Sequence, residues 1–167
     1  MLADASGVMP QSLMFKADQE FFEQALDSVD LVVHGRHSQE QQRNAPLRRR
    51  LILTQRVADI GPNPTNPLAL LWNPQGASFE AAVAAIGVPI ARIAVIGGTD
   101  VFALFLDRFD VFHLTRAPGA QLPGGRPVFL DAPRRRPEDV LAEHGLHPEP
   151  LQMLDEEHGV SLVSWRR

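Results

Sequence analysis

The sequence predicts an α/β fold: a mostly parallel central sheet with helices on both faces and a C-terminal antiparallel hairpin. Three observations predict it. Leu31-Val32-Val33, Leu51-Ile52-Leu53, Leu68 to Trp72 and Ile93 to Ile96 are short apolar runs without polar alternation, the pattern of strands buried on both faces. Helical patterns stand among them, from Asp18 to Leu26 and from Ser78 to Ile86. Near the end, Leu151 to Leu154 and Val160 to Trp165 flank Glu156-Glu157-His158-Gly159, which reads as a hairpin.

The elements follow in order. Leu2-Ala3 reads as the tail of a strand, and Asp4-Ala5-Ser6-Gly7 as a turn. The Asp18–Leu26 helix sets Phe21, Phe22, Ala25 and Leu26 on one face. Asp18 caps it or sits in its first turn, where the helix dipole favours a carboxylate. Gly35-Arg36-His37-Ser38 follows the first buried strand and precedes a short helix; Thr54-Gln55-Arg56 ends the next strand. Residues 57–67 hold Pro62, Pro64 and Pro67 and read as a loop. Ser78 caps the second helix and Gly87 stops it. After Ile96, Gly97-Gly98 ends the strand, Thr99 caps a mostly buried helix, and Val111 to Leu114 forms another strand. Pro118 to Gly125 is a long irregular connection; Pro137 opens a short helix that Gly145 closes.

The 167 residues fit a single domain, 1–167, with a first strand of only three residues. Without cysteine there is no disulfide and no thiolate metal site. The histidines show no metal-ligand spacing, so no metal is expected. His34 and His113 read as hydrogen-bonded structural histidines, and Trp72 and Trp165 as core or interface residues. A net charge of −4 argues against nucleic-acid partners. No apolar stretch is long enough to span a bilayer and no leader pattern stands at the start, so a cytoplasmic protein without membrane contact is expected. Lys16 is the only lysine, while Arg36, Arg43, Arg48, Arg49, Arg50 and Arg56 crowd one short region. That crowd is a solvated basic surface or an anion site, since guanidinium grips phosphate bidentately.

Three strands thus end in turns compatible with phosphate: Gly35-Arg36-His37-Ser38, Thr54-Gln55-Arg56 and Gly97-Gly98-Thr99. Ligands gather at the carboxyl ends of parallel strands, so neighbouring ends would make one polyanion site. Arginine at two of them suits the 2′-phosphate of NADP, and no acid stands where a ribose diol would be read.

These residues resemble a known family. Val95-Ile96-Gly97-Gly98-Thr99-Asp100-Val101-Phe102, followed by Leu106, Asp110 and Leu114-Thr115, is similar to the glycine-pair segment of dihydrofolate reductases. Gly35-Arg36-His37-Ser38 resembles their Gly-Arg-x-Thr turn, and Leu51 to Gln55 their third strand with its phosphate-binding end. The closing hairpin down to Trp165-Arg166-Arg167 also fits. Pro123 to Phe129 is closer to the sister group, the reductase domain of bacterial riboflavin biosynthesis. The resemblance covers the chain from Val29 onward.

It implies NADPH as cofactor. Gly35, Arg36, His37 and Ser38 would meet its phosphates, Thr54, Gln55 and Arg56 its adenosine 2′-phosphate, and Ile96, Gly97, Gly98, Thr99, Asp100 and Val101 its pyrophosphate and nicotinamide side. It implies hydride transfer to a small heterocycle, a pterin such as dihydrofolate or the ribosylaminopyrimidine of riboflavin synthesis. Asp18 would be the acid on the substrate side and Thr115 its hydrogen-bond partner. The chain departs from the family in its short first strand and in Phe102, where many relatives carry tyrosine. Three explanations of the short strand stand open: a start further upstream, a segment or second chain that fills the gap, or a degraded site. A non-catalytic NADPH-binding paralogue is therefore the alternative to an enzyme. Riboflavin-type relatives pair, so a homodimer is expected.

Overall fold

A computed structural model describes residues 10–38, 42–120, 122–131 and 134–167. The expected strand tail at Leu2-Ala3 and turn at Asp4 to Gly7 lie outside these residues. Contacts divide the chain into two compact units, Glu23–Val101 and Met1–Phe22 with Phe102–Arg167.

In the first unit β1 (Leu31–Gly35) has a parallel neighbour on each side, β2 (Arg50–Leu53) and β5 (Ile93–Val95). Leu31, Val32 and Val33 are almost completely buried, as an unbroken apolar run requires when both faces are covered. β2 pairs in parallel with β4 (Ala69–Trp72). At the outer edge β3 (Ile60–Pro62) runs antiparallel to β4, giving the order β3-β4-β2-β1-β5. The proline-rich stretch 57–67 therefore holds a strand where the sequence suggested only a loop. Proline is tolerated there because β3 is an edge strand.

Local signals place the remaining elements. Ser78 caps α2 (Phe79–Ala84) by accepting the Ala81 N–H at 3.1 Å. This helix ends two residues before Ile86, and Gly87 follows at φ +76°. Asp30 accepts the N–H groups of Ala91 and Arg92 at 2.9 and 2.8 Å, which holds its carboxyl below the usual carboxylate range and ties the entrance of β1 to that of β5. Trp72 is buried and its Nε1 donates to the Ala77 carbonyl at 2.9 Å. The arginine crowd divides. Arg48 and Arg50 are buried, whereas Arg36, Arg43, Arg49 and Arg56 are exposed. Arg48 pairs with Asp27 at the end of α1 (Lys16–Asp27).

The second unit is built on a separate antiparallel sheet. β6 (Val111–Arg116) pairs with β9 (Val160–Arg166), whose other side carries β7 (His147–Pro148) and β8 (Gln152–Asp155). The β8–β9 hairpin lies where the sequence placed it, with an irregular register between Met153 and Asp155. Antiparallel strands were expected at one edge of a single sheet; they form a sheet of their own, and β6 belongs to it. Phe102, Phe109, Phe112 and Phe129 pack ring against ring at centroid separations of 5.3 to 6.3 Å. α4 (Pro137–Glu143) starts at its proline, and Gly145 turns the chain out at φ +78°.

Leu51→Ala, at a fully buried position in β2, should cost about 2–5 kcal/mol of stability. Leu47→Ala, 74% exposed, should stay within about 0.5 kcal/mol. Urea unfolding of the two variants checks the contrast.

Candidate functional site

The first unit brings the predicted strand ends together. β2, β1 and β5 are consecutive in the sheet and parallel, so Thr54-Gln55-Arg56, Gly35-Arg36-His37-Ser38 and Gly97-Gly98-Thr99 all emerge at one edge. Backbone hydrogen bonds join them: Gly35 N donates to Gly97 O at 2.9 Å, and Arg36 N donates to Leu53 O at 3.2 Å. The chain passes from β1 to β2 on one side and later returns to β5 on the other. The gap between β1 and β5 is thus the topological switch point, where open parallel sheets bind ligands.

Glycine is favoured at two of these places. A Cβ on Gly35 would stand 3.3 Å from Val101 Cγ2, tighter than ordinary contact. Gly97 has φ +91°, a conformation that side chains disfavour. The Gly97–Gly98 peptide is cis. A Cβ built on Gly98 meets nothing within 4 Å, so the backbone there is open to a close-fitting ligand. Thr99 is the first residue of α3 (Thr99–Phe105), and Val101 N donates back to Gly98 O at 2.9 Å. With seven residues and Asp100 in its first turn, α3 adds little dipole attraction for an anion. Anion binding at this edge would rest instead on open backbone and on exposed Arg36 and Arg56. Thr54 is buried, and its Oγ1 accepts the Arg56 N–H at 3.2 Å, which shapes that turn. Gln55 and His37 are exposed, while Ser38 and Ile96 are half-buried.

His34 is the hydrogen-bonded structural histidine that the sequence suggests, and it shapes the middle turn together with Arg50, a partner that sequence reasoning missed. Its Nδ1 lies 2.9 Å from Gly35 O. A carbonyl only accepts, so Nδ1 carries the proton and Nε2 is left as acceptor. Arg50 Nη1 lies 3.3 Å from that Nε2, and Arg50 Nη2 donates to Ala45 O at 3.0 Å. Gly35 O also accepts from Ser38 N at 2.9 Å. Burial first, then the Arg50 charge, lowers the affinity of His34 for a second proton, opposed by its bond to Gly35. The signal was available in the alternation of β2, which puts Arg50 and Ile52 on one face, opposite Val32 and His34 in the register.

The second unit holds Asp18 and Thr115. Asp18 lies in the first turn of α1, and its Oδ1 accepts the Thr115 hydroxyl at 2.8 Å. One helical turn on, Phe21 sets its ring edge against His113, centroids 5.1 Å apart. Residues 18 and 21 share a helix face, and residues 113 and 115 share a face of β6, so both contacts fix the same docking. His113 Nδ1 lies 3.0 Å from Ser164 Oγ on the paired strand. Asp18 and Thr115 are both half-buried.

No protein-family model matches the sequence, and no curated protein does. Solved structures match it along nearly its whole length. A dihydrofolate reductase from Enterococcus faecalis, complexed with NADP(H) and RAB-propyl, aligns with a TM-score of 0.59 at 16% identity, over 93% of this chain and 84% of that one. A putative riboflavin biosynthesis protein from Shewanella sp. PV-4 aligns with a TM-score of 0.64 at 17% identity, over 99% and 90%.

The chain has the dihydrofolate reductase-like fold.

The diaminohydroxyphosphoribosylaminopyrimidine deaminase/5-amino-6-(5-phosphoribosylamino)uracil reductase of Thermotoga maritima aligns too, with a TM-score of 0.60 at 17% identity. The alignment covers 99% of the present chain but 52% of that one, so this dihydrofolate reductase-like chain spans about half its length. At these identities the likeness is one of fold. Among the described residues, no helix is long and apolar enough to cross a membrane.

His34 binds fewer protons folded than unfolded, so its contribution to stability is complete above pH ~6.5 and declines as the pH falls below it. Urea midpoints should therefore decline on acidification, and less steeply in His34→Gln. Equal slopes would mean that His34 protonates freely in the folded protein.

Proposed function

We propose that the chain is an NADPH-dependent reductase that delivers a hydride to a C=N bond of a pterin-like heterocycle such as dihydrofolate. The observation that carries this reading is the Thr115–Asp18 hydrogen bond of 2.8 Å between residues 97 apart. It holds a carboxylate half-exposed on a helix, in the arrangement expected of the acid on the substrate side. The adjacency of the three strand ends supports the cofactor half. Their residues fit a dinucleotide: open backbone at Gly98 and arginine at two ends, with Asp100 the one acidic residue among those proposed to meet it.

When bound, NADPH would supply the hydride. Arg36 and Ser38 would hold phosphate oxygens, and Thr54, Gln55 and Arg56 the adenosine 2′-phosphate. Gly35 and the Ile96–Val101 stretch would lie along the pyrophosphate and nicotinamide side. Asp18 would accept charge-assisted hydrogen bonds from the 2-amino and ring N–H edge of the heterocycle, orienting it. The same carboxylate would assist proton delivery to the ring nitrogen beside the carbon that receives the hydride. Thr115 donates its hydroxyl proton to Asp18 and so fixes the carboxylate rotamer. The missing phenol at Phe102 leaves hydride transfer possible, because the cofactor carries that chemistry.

The likeness to riboflavin-pathway structures supports a second reading, reduction of a ribosylaminopyrimidine. Absorbance loss from reduced nicotinamide, followed with dihydrofolate and with the pyrimidine, separates the two. Thermal stabilisation by NADPH without turnover of either acceptor would instead favour the non-catalytic paralogue.

Asp18→Asn should lower kcat/KM by about 10²–10⁴-fold, the usual contribution of a positioned acid–base group, and leave NADPH affinity unchanged. Arg56→Ala should weaken NADPH by about tenfold or more, in line with a lost charged hydrogen bond, and weaken NADH far less, whereas Arg36→Ala should weaken both. Equal weakening of both dinucleotides by Arg56→Ala in a titration would refute the 2′-phosphate assignment.

A further inference from the structure

In the second unit, one face of the antiparallel sheet carries the first turns of α1. Directly opposed residues of paired strands share a face. Thr115 with Leu162, His113 with Ser164, and Val111 with Arg166 therefore line that face together. Phe112 turns to the other face, where it is buried in the aromatic cluster. The helix sets Asp18 on Thr115 through the 2.8 Å hydrogen bond. It sets Phe21 on His113 at a centroid separation of 5.1 Å and an interplanar angle of 80°.

The first contact alone does not orient the acid. One hydrogen bond fixes one point of the helix and not its rotation about that point. A second contact, one turn on and two residues away along the same strand, removes that freedom. The aromatic contact is itself anchored. His113 Nδ1 lies 3.0 Å from Ser164 Oγ, so the ring cannot turn away from Phe21 without losing that bond. Ser164 is held through its backbone: its carbonyl accepts the Glu149 N–H at 2.8 Å, and the Glu149 carboxylate pairs with Arg166 Nε at 2.8 Å. The packing around His113, then the Arg166 charge, lowers its affinity for a proton, opposed by Glu149. The ring is thus uncharged at neutral pH, and it meets Phe21 in the edge-to-face geometry that aromatic pairs prefer.

We infer that His113 is a positioning residue for Asp18. Its ring, locked on the sheet by Ser164, seats Phe21 and so sets the direction in which α1 presents the carboxylate. His113 acts through the helix, without touching substrate or cofactor. The inference rests on the reading of Asp18 as the acid on the substrate side. A displacement of about 1 Å is enough to impair a positioned group of that kind.

His113→Ala should lower kcat/KM for whichever acceptor is turned over, dihydrofolate or the pyrimidine, by about tenfold or more. His113→Phe keeps a ring against Phe21 and should recover most of that loss. His113→Asn keeps a hydrogen-bonding group for Ser164 without the ring and should not. Full activity of His113→Ala, or equal activity of the Phe and Asn variants, would overturn the inference. A double-mutant cycle with Asp18→Asn supplies the readout that a merely structural role would not move. In the Asp18→Asn background His113→Ala should cost less than about twofold, because the group it positions is already gone. The same loss in both backgrounds would overturn the inference. A measurement without turnover separates its failure from that of the reductase reading. In protein labelled with carbon-13 aspartate, the Asp18 carboxyl resonance is identified by its loss in Asp18→Asn. It should shift in His113→Ala and lie near its original position in His113→Phe. That pattern in a chain that reduces neither acceptor would fail the reductase reading and leave the positioning role standing. An unmoved resonance would overturn that role whatever the activity.

Discussion

The parallel pairing of β1 with strands on both sides is the constraint on which the first unit depends. Leu31, Val32 and Val33 have no exposed face, so β1 must be covered above and below and paired on both flanks, or its peptide groups would be buried without partners. Meeting that demand sets three strand ends side by side. The same pairing brings Gly35 against Gly97 and Val101, so a side chain there would press on Val101 Cγ2. A buried imidazole and a buried guanidinium then complete the floor beneath the turn. The polar edge is thus a by-product of how an apolar strand satisfies its backbone.

Much of this was legible from residue order. Unbroken apolar runs marked β1, β2, β4 and β5, and in β1 that pattern reflects burial on both faces. Ser78 and Gly87 marked the ends of α2 through local chemistry that needs no tertiary context. The Asp18–Thr115 hydrogen bond was expected through the family resemblance rather than from residue order. The failures also have physical causes. Ile60–Pro62 became a strand because an edge position leaves proline without a missing bond. The division into two sheets was hidden because strand spacing in the sequence does not say which strands share a sheet. The fates of Arg48 and Arg50 were hidden because burial of an arginine depends on partners brought from elsewhere, Asp27 for one and His34 for the other.

The two groups of candidate residues differ in how they are built. Those proposed for the dinucleotide are backbone turns at strand ends, fixed by sheet hydrogen bonds and by glycine. Asp18 and Thr115 are side chains on a helix and a strand, fixed by one short hydrogen bond and one aromatic contact. The first kind tolerates sequence drift as long as the glycines and strand order persist. The second is sensitive to single side chains. This difference fits a fold whose overall likeness survives at 16–17% identity.

The Asp18–Thr115 bond also sets an order of events during synthesis. Residues 23–101 form a contiguous unit, so its parallel pairings can close as soon as that stretch has emerged. The other unit joins the described residues 10–22 to the chain beyond residue 102, and closing so long a loop delays its contacts. Helix α1 is made long before β6, yet its Asp18 carboxylate acquires the Thr115 partner only after β6 has appeared. A nascent chain would thus have its parallel strands paired well before the Asp18 carboxylate was oriented, and hydrogen exchange on ribosome-bound chains of increasing length would read that sequence directly.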